Sequence, residues 1–160
     1  MTQLIVLALA LLIGVVAGLR ALTAPAVVAW AAMLHWINMD GTWAEWLGRP
    51  VTVAVLTVLA VVELVTDLLP RTPDRTNAVQ FLARIVLGAF AGAVIGTAWG
   101  FTWGALGAGM VGAVLGAVGG AALRRRLVAA IGGRDLPIAL LEDSVAVLGG
   151  FAIAAITAVV

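Results

Sequence analysis

Five long apolar runs, separated by short polar interruptions, make up almost the whole chain. Each can be set against the roughly 20 residues that an α-helix needs to cross a bilayer. The first runs from about Leu4 to Leu34, too long for one straight crossing, and Gly14, Gly18 and Pro25 predict that it is tilted, kinked or broken near its middle. The second opens at Arg49-Pro50 and stops at Pro70, because proline suits a first helical turn and resists continuation of a helix. With it spanning 50–69, the others cover about 78–99, 104–123 and 137–160. The pattern predicts an all-α, polytopic transmembrane bundle of about five spans, a single integral membrane domain over 1–160.

Composition agrees with lipid as the solvent. Hydrophobic residues make up 64% and charged residues 11% of the chain, against roughly 45–50% and 25% in soluble domains. So few charges could not cover a water-soluble fold of this size. Cysteine is absent, which excludes disulfides and thiolate metal sites. A single histidine, His35, excludes a multi-histidine cluster. The arginines are scattered or sit at helix ends, so no basic stripe for nucleic acid exists. MTQ precedes the first apolar run without a basic region, and the run outlasts a signal peptide, so cleavage is not expected.

Charge placement predicts orientation. Arg71, Arg75, Arg124, Arg125, Arg126 and Arg134 follow spans two and four, whereas only Arg49 lies in the other connections. An odd number of spans puts those six on one face, which the positive-inside rule makes cytoplasmic, with a cytoplasmic N-terminus. All six tryptophans fall at or near the other face, where HWINMDGTWAEWLG reads as a short amphipathic piece among the headgroups. The Ala- and Arg-rich, Lys-free composition fits a GC-rich bacterial genome and a bacterial plasma membrane.

Helices in lipid associate through small residues. Gly88, Gly92, Gly96 and Gly100 recur every four residues in span three, and Gly104, Ala108, Gly112, Gly116 and Gly120 in span four. The short link near Phe101–Trp103 makes these an antiparallel hairpin, expected to touch along the two ridges. A glycine-lined ion path is the alternative.

Ionisable groups inside a bilayer are costly and mark function. Arg20, Glu63, Asp67, Arg84, Glu142 and Asp143 lie in or just inside the spans. Glu63 stands seven residues before Pro70, Arg84 about six into span three and Glu142 five after Pro137. All three thus lie roughly 8–10 Å in from the arginine-rich face. Glu63 and Asp67 share a helical face near a C-terminus, where the helix dipole disfavours anions, so they need Arg84, Arg20, a cation or a proton. Four carboxylates against two guanidiniums could bind a cation or a proton, whose removal or uptake a raised pKa would govern. A purely structural network would instead pair Arg20 and Arg84 with Glu63 and Glu142, leaving Asp67 and Asp143 to headgroups or helix caps. The cytoplasmic arginines could hold anionic headgroups of membrane lipids. No phosphate loop, zinc protease motif or nucleophile elbow is present, so a lipid-modifying enzyme has no motif behind it, no cofactor is expected, and a metal is left undetermined.

The segments Glu63-Leu-Val-Thr-Asp67-Leu-Leu-Pro70 and Pro137-Ile-Ala-Leu-Leu-Glu142-Asp143 resemble a bacterial membrane family known only as a domain of unknown function. The resemblance covers nearly the whole chain. Its members carry a Glu–three residues–Asp–Lys–x–Pro segment, and Leu68 here stands in place of that Lys, which removes a local counter-ion for Asp67. The resemblance implies a membrane protein with paired acidic segments and no stated activity. Spans one and two also resemble four and five in pairing a Gly/Arg helix with an acidic one, which would make inverted halves. The expected roles are a cation- or proton-linked transporter or channel for a small solute, or else an assembly subunit, with a homo-oligomer as an expected form of either.

Overall fold

The computed structural model describes residues 1–67 and 77–159. Among them are six α-helices, one short 3-10 turn and no strand. They are α1 (Gln3–Leu19), α2 (Thr23–Met33), the 3-10 turn (Glu45–Gly48), α3 (Pro50–Thr66), α4 (Ala78–Thr97), α5 (Thr102–Ala130) and α6 (Asp135–Val159). Three of them, α4, α5 and α6, are long and apolar enough to cross a membrane, fewer than the five expected spans. The other three are shorter apolar helices. Pro70, Arg71 and Arg75 lie outside the described residues.

The long run from 4 to 34, expected to be tilted, kinked or broken near its middle, is broken there into two helices of opposite direction. Val16 of α1 and Val27 of α2 both approach Gly150 of α6, so the chain turns back between them. The turn falls at Arg20–Leu22, where Arg20 is extended (φ −139°, ψ 108°), and not at Gly14 or Gly18. Those two glycines serve contact instead. A methyl group at Gly14 would overlap the Gly109 carbonyl, and one at Gly18 the Ala113 carbonyl.

Helices α1, α4 and α5 form the most extensively packed part. Gly88 meets Ala113 and Gly109, Gly92 meets Ala105, and Gly96 meets Ala105 and Phe101. The pairing descends along α5 as it climbs α4, so this hairpin is antiparallel as expected. The ridge on α5 differs from the expected one. Ala105, Gly109 and Ala113 face α4, while Gly112 and Gly116 pack against Leu11, Val15 and Gly18 of α1. Gly104 touches only the Leu7 side chain, and Gly120 borders a small cavity between α5 and α6. Because Leu11 meets Gly112 and Val15 meets Gly116, α1 runs parallel to α5. Inverted halves would therefore not match α1 to α5, whereas α3 and α6 do run in opposite directions.

Helix α2 lies antiparallel to α3, with Trp30 Nε1 donating to Thr57 Oγ1 (3.0 Å). Trp30, Trp36 and Trp99 are partly buried against the core, whereas Trp43, Trp46 and Trp103 are exposed. The segment after α2 does not lie as a free amphipathic strip, because Ile37, Met39, Ala44 and Leu47 are buried in the core. Its Trp43 Nε1 donates to Thr97 Oγ1 at the end of α4 (3.0 Å). Helix α6 runs alongside α2, from Asp143 near Arg20 to Thr157 near the Trp36 carbonyl. The bundle thus has an arginine end and a tryptophan end, and α1 starts at the tryptophan end. Helix α5 extends well past residue 123, so Arg124, Arg125 and Arg126 lie on it and not in a loop. Gly132 and Gly133, both with left-handed φ (75° and 84°), make the turn into α6.

Candidate functional site

A helix end leaves carbonyls unpaired and a helix start leaves amides unpaired. At the α1–α2 break each set is met by an opposite charge from another helix. Arg84 of α4 donates from Nη1 to the carbonyl oxygens of Gly18 (3.0 Å) and Leu19 (2.7 Å). This sets a cation at the negative end of the α1 dipole. Glu63 of α3 accepts from the amides of Ala21 and Leu22, one per carboxylate oxygen, at 2.7 Å each, so an anion sits at the positive end of α2. The two side chains also face each other, with Arg84 Nη2 3.9 Å from Glu63 Oε1 and 4.0 Å from Asp67 Oδ2.

Arg20 occupies the centre. It is 0% exposed, and its guanidinium pairs through Nη1 with Asp67 of α3 and through Nη2 with Asp143 of α6. One cation thereby ties together two helices that make little other contact. Two further buried polar atoms at this break, Arg20 Nε and Thr23 Oγ1, make no hydrogen bond.

Five of the six expected site residues therefore come together: Arg20, Glu63, Asp67, Arg84 and Asp143. Glu142 does not join them. Adjacent helical residues point about 100° apart, so Asp143 turns toward Arg20 while Glu142 turns toward α5. There Arg124 Nη1 donates to Glu142 Oε2 (3.3 Å). Arg124 also grips Asp135 with two bonds, Nε to Oδ1 (2.9 Å) and Nη2 to Oδ2 (2.7 Å). The structural pairing of Glu142 with Arg20 or Arg84 is thus replaced by a second cluster. Arg124 and Asp135 escape a reading that assigns them to a loop. The seven-residue spacing of Asp135 and Glu142, two turns on one face, is the signal that could have found them. Beside Glu142 lies a cavity of about 90 Å³, bordered by Leu19, Gly120, Leu123, Leu141 and Val145. Among the described residues no cluster of His, Asp or Glu could hold a metal ion.

The family model described as Domain of unknown function (DUF4126) matches residues 7–160. The chain belongs to this family. No curated protein and no solved structure matches it. Membership agrees with the expected resemblance at the level of the family. The DUF4126 match includes both acidic segments and all five residues gathered at the break, and it assigns them no role.

Proposed function

We propose that this DUF4126 chain is an integral membrane protein that carries protons, or a small solute linked to them, through the charged junction at the α1–α2 break. Arg20 is the observation that carries the reading: a wholly buried guanidinium shared by carboxylates from two helices. Membrane carriers build sites from broken helices whose ends face ions and polar groups, and ionisable groups in hydrocarbon are costly, so that their presence points to a function. Asp67 and Asp143 share the Arg20 guanidinium, with Arg84 4.0 Å from Asp67, whereas Glu63 is held by two amides. The two aspartates can accordingly exchange a proton without the break losing its carboxylate. A proton on either loosens the tie between α3 and α6. In sealed liposomes the purified protein should pass protons, and Asp67→Asn or Asp143→Asn should cut the rate to about a tenth, roughly 1.4 kcal/mol on the barrier. Wild-type liposomes no leakier than empty ones would end the proposal.

Six passes accompany it. Successive helices alternate in direction, and α1 and α2, at 17 and 11 residues, measure about 25 and 17 Å. Helix α2 covers only part of the roughly 30 Å hydrocarbon core, and the buried side chains of residues 37–47 fill the remaining depth. With the arginine end in the cytoplasm, α1 starts outside, reversing the orientation that an odd count requires. The bacterial plasma membrane remains the proposed location. Because the chain has no cysteine, single-cysteine labelling is clean: Thr2→Cys should react with an impermeant reagent from outside and Arg125→Cys only from within.

A second reading, a subunit that assembles with a partner or another copy of itself, is favoured by Glu63 and Arg84, whose contacts match both ends of the break. It calls for no flux and for a partner that co-purifies in mild detergent.

A further inference from the structure

We infer that the α1–α2 break is a binding site for a carboxylate anion, and that Glu63 occupies it as a tethered stand-in. This rests on the transport reading and names the class of solute carried. The amides of Ala21 and Leu22 each take one oxygen of the Glu63 carboxylate, with the Arg84 guanidinium beside it. A helix start with a neighbouring guanidinium is a general receptor for such a group. Nothing in that geometry requires the carboxylate to be covalently attached.

A second observation points to an occupant beyond Glu63. Thr23 Oγ1, on the first residue of α2 and 3% exposed, has no hydrogen-bond partner, nor has Arg20 Nε, which is wholly buried. Buried polar atoms are nearly always satisfied. These two lie at the same end of α2 as the amides and supply donors that the two Glu63 oxygens do not use.

The exchange is simple in charge. As the Glu63 carboxylate gives up the amides, a proton from water forms an O–H bond on it and its negative charge is lost. An external carboxylate then takes the amides and restores the charge, so one proton and one anion enter together without net charge. The charged groups facing Glu63 are Arg20 from the turn, Asp67 on its own helix, Arg84 from α4 and Asp143 from α6, with Arg124 and Glu142 forming the neighbouring cluster. Asp67 and Asp143 also explain why a monoanion fits better than phosphate, whose extra charge they would repel.

Formate is the smallest probe. In detergent, Glu63→Ala should melt roughly 3–5 °C higher in formate at about ten times its dissociation constant than in equal chloride. The wild type should show no such difference near pH 8. Glu63→Gln, which keeps the size of the side chain and removes its charge, should respond to formate in the same direction as Glu63→Ala. That arm keeps the test decisive if Glu63→Ala fails to fold. Equal melting in formate and chloride for Glu63→Ala, or for Glu63→Gln where Glu63→Ala does not fold, overturns the inference. Formate stabilisation without proton flux would keep the site and remove the carrier, whereas flux without a formate effect would keep the carrier and remove the site.

Discussion

Helices α1, α4 and α5 are joined backbone to backbone, whereas α3 is joined to the bundle largely by charge. On the first side, glycines let carbonyls and Cα atoms of neighbouring helices meet directly. On the second, α3 buries only Val53 and Ala60, and its arginine end is held through Glu63 and Asp67. Lipid gives little drive for apolar side chains to leave it, so close packing and polar contact are the two available ways to hold helices together. They differ in one respect that matters for function. A proton cannot loosen a glycine contact, but it can loosen a carboxylate from an arginine. The molecule thus combines a fixed scaffold with a helix whose attachment depends on ionisation.

The severest way to break that contrast is Arg20→Gln. It leaves Asp67 and Asp143 near the interior without their cation, and breaking a buried pair in this way costs about 3–5 kcal/mol. Unfolding by SDS in mixed micelles should register the loss, with α3 leaving before the glycine-packed trio. A cost under about 1 kcal/mol would mean that packing, and not charge, holds α3.

Much of this was legible beforehand, and the part that was not has a physical reason. Apolar run length marks α3 to α6 to within a few residues at most ends, because hydrocarbon thickness and proline set those limits directly. Five of the six candidate charges do meet, since charges in lipid have few places to go other than one another. What the runs conceal is direction. A reversal at Arg20–Leu22 breaks no apolar pattern, because the turn's amides are satisfied by Glu63, 41 and 42 positions away in sequence. Sequence spacing on one helix also cannot say which neighbour a ridge meets. Gly112 and Gly116 therefore pair with α1 although the hairpin partner is α4.

Gly112→Val tests the scaffold at an intermediate size. Any Cβ there would run into the Leu11 carbonyl and press on the Val15 amide, both backbone atoms that cannot swing aside. Overpacking of this kind costs about 1–3 kcal/mol. Gly107 is the control, with open space around it, so Gly107→Val should stay within about 0.5 kcal/mol. Equal effects at the two positions would show that the ridge assignment on α5 is wrong.

The smallest effect belongs to the outer cluster, and it sharpens the comparison by showing what charge does where water reaches it. Asp135 keeps 60% of its side chain exposed and Glu142 only 9%, yet both hold the same Arg124. Screening acts on the first pair far more than on the second. A double-mutant cycle on Arg124 and Asp135 should give a coupling of about 0.2–1 kcal/mol despite the two short bonds, fading as salt is raised. The Arg124–Glu142 cycle, though its bond is longer, should give the larger coupling and lose less of it in salt. If the Asp135 coupling proved both larger and indifferent to salt, hydrogen-bond geometry would outweigh burial here. The Arg20 junction would then owe its strength to its geometry and not to its depth.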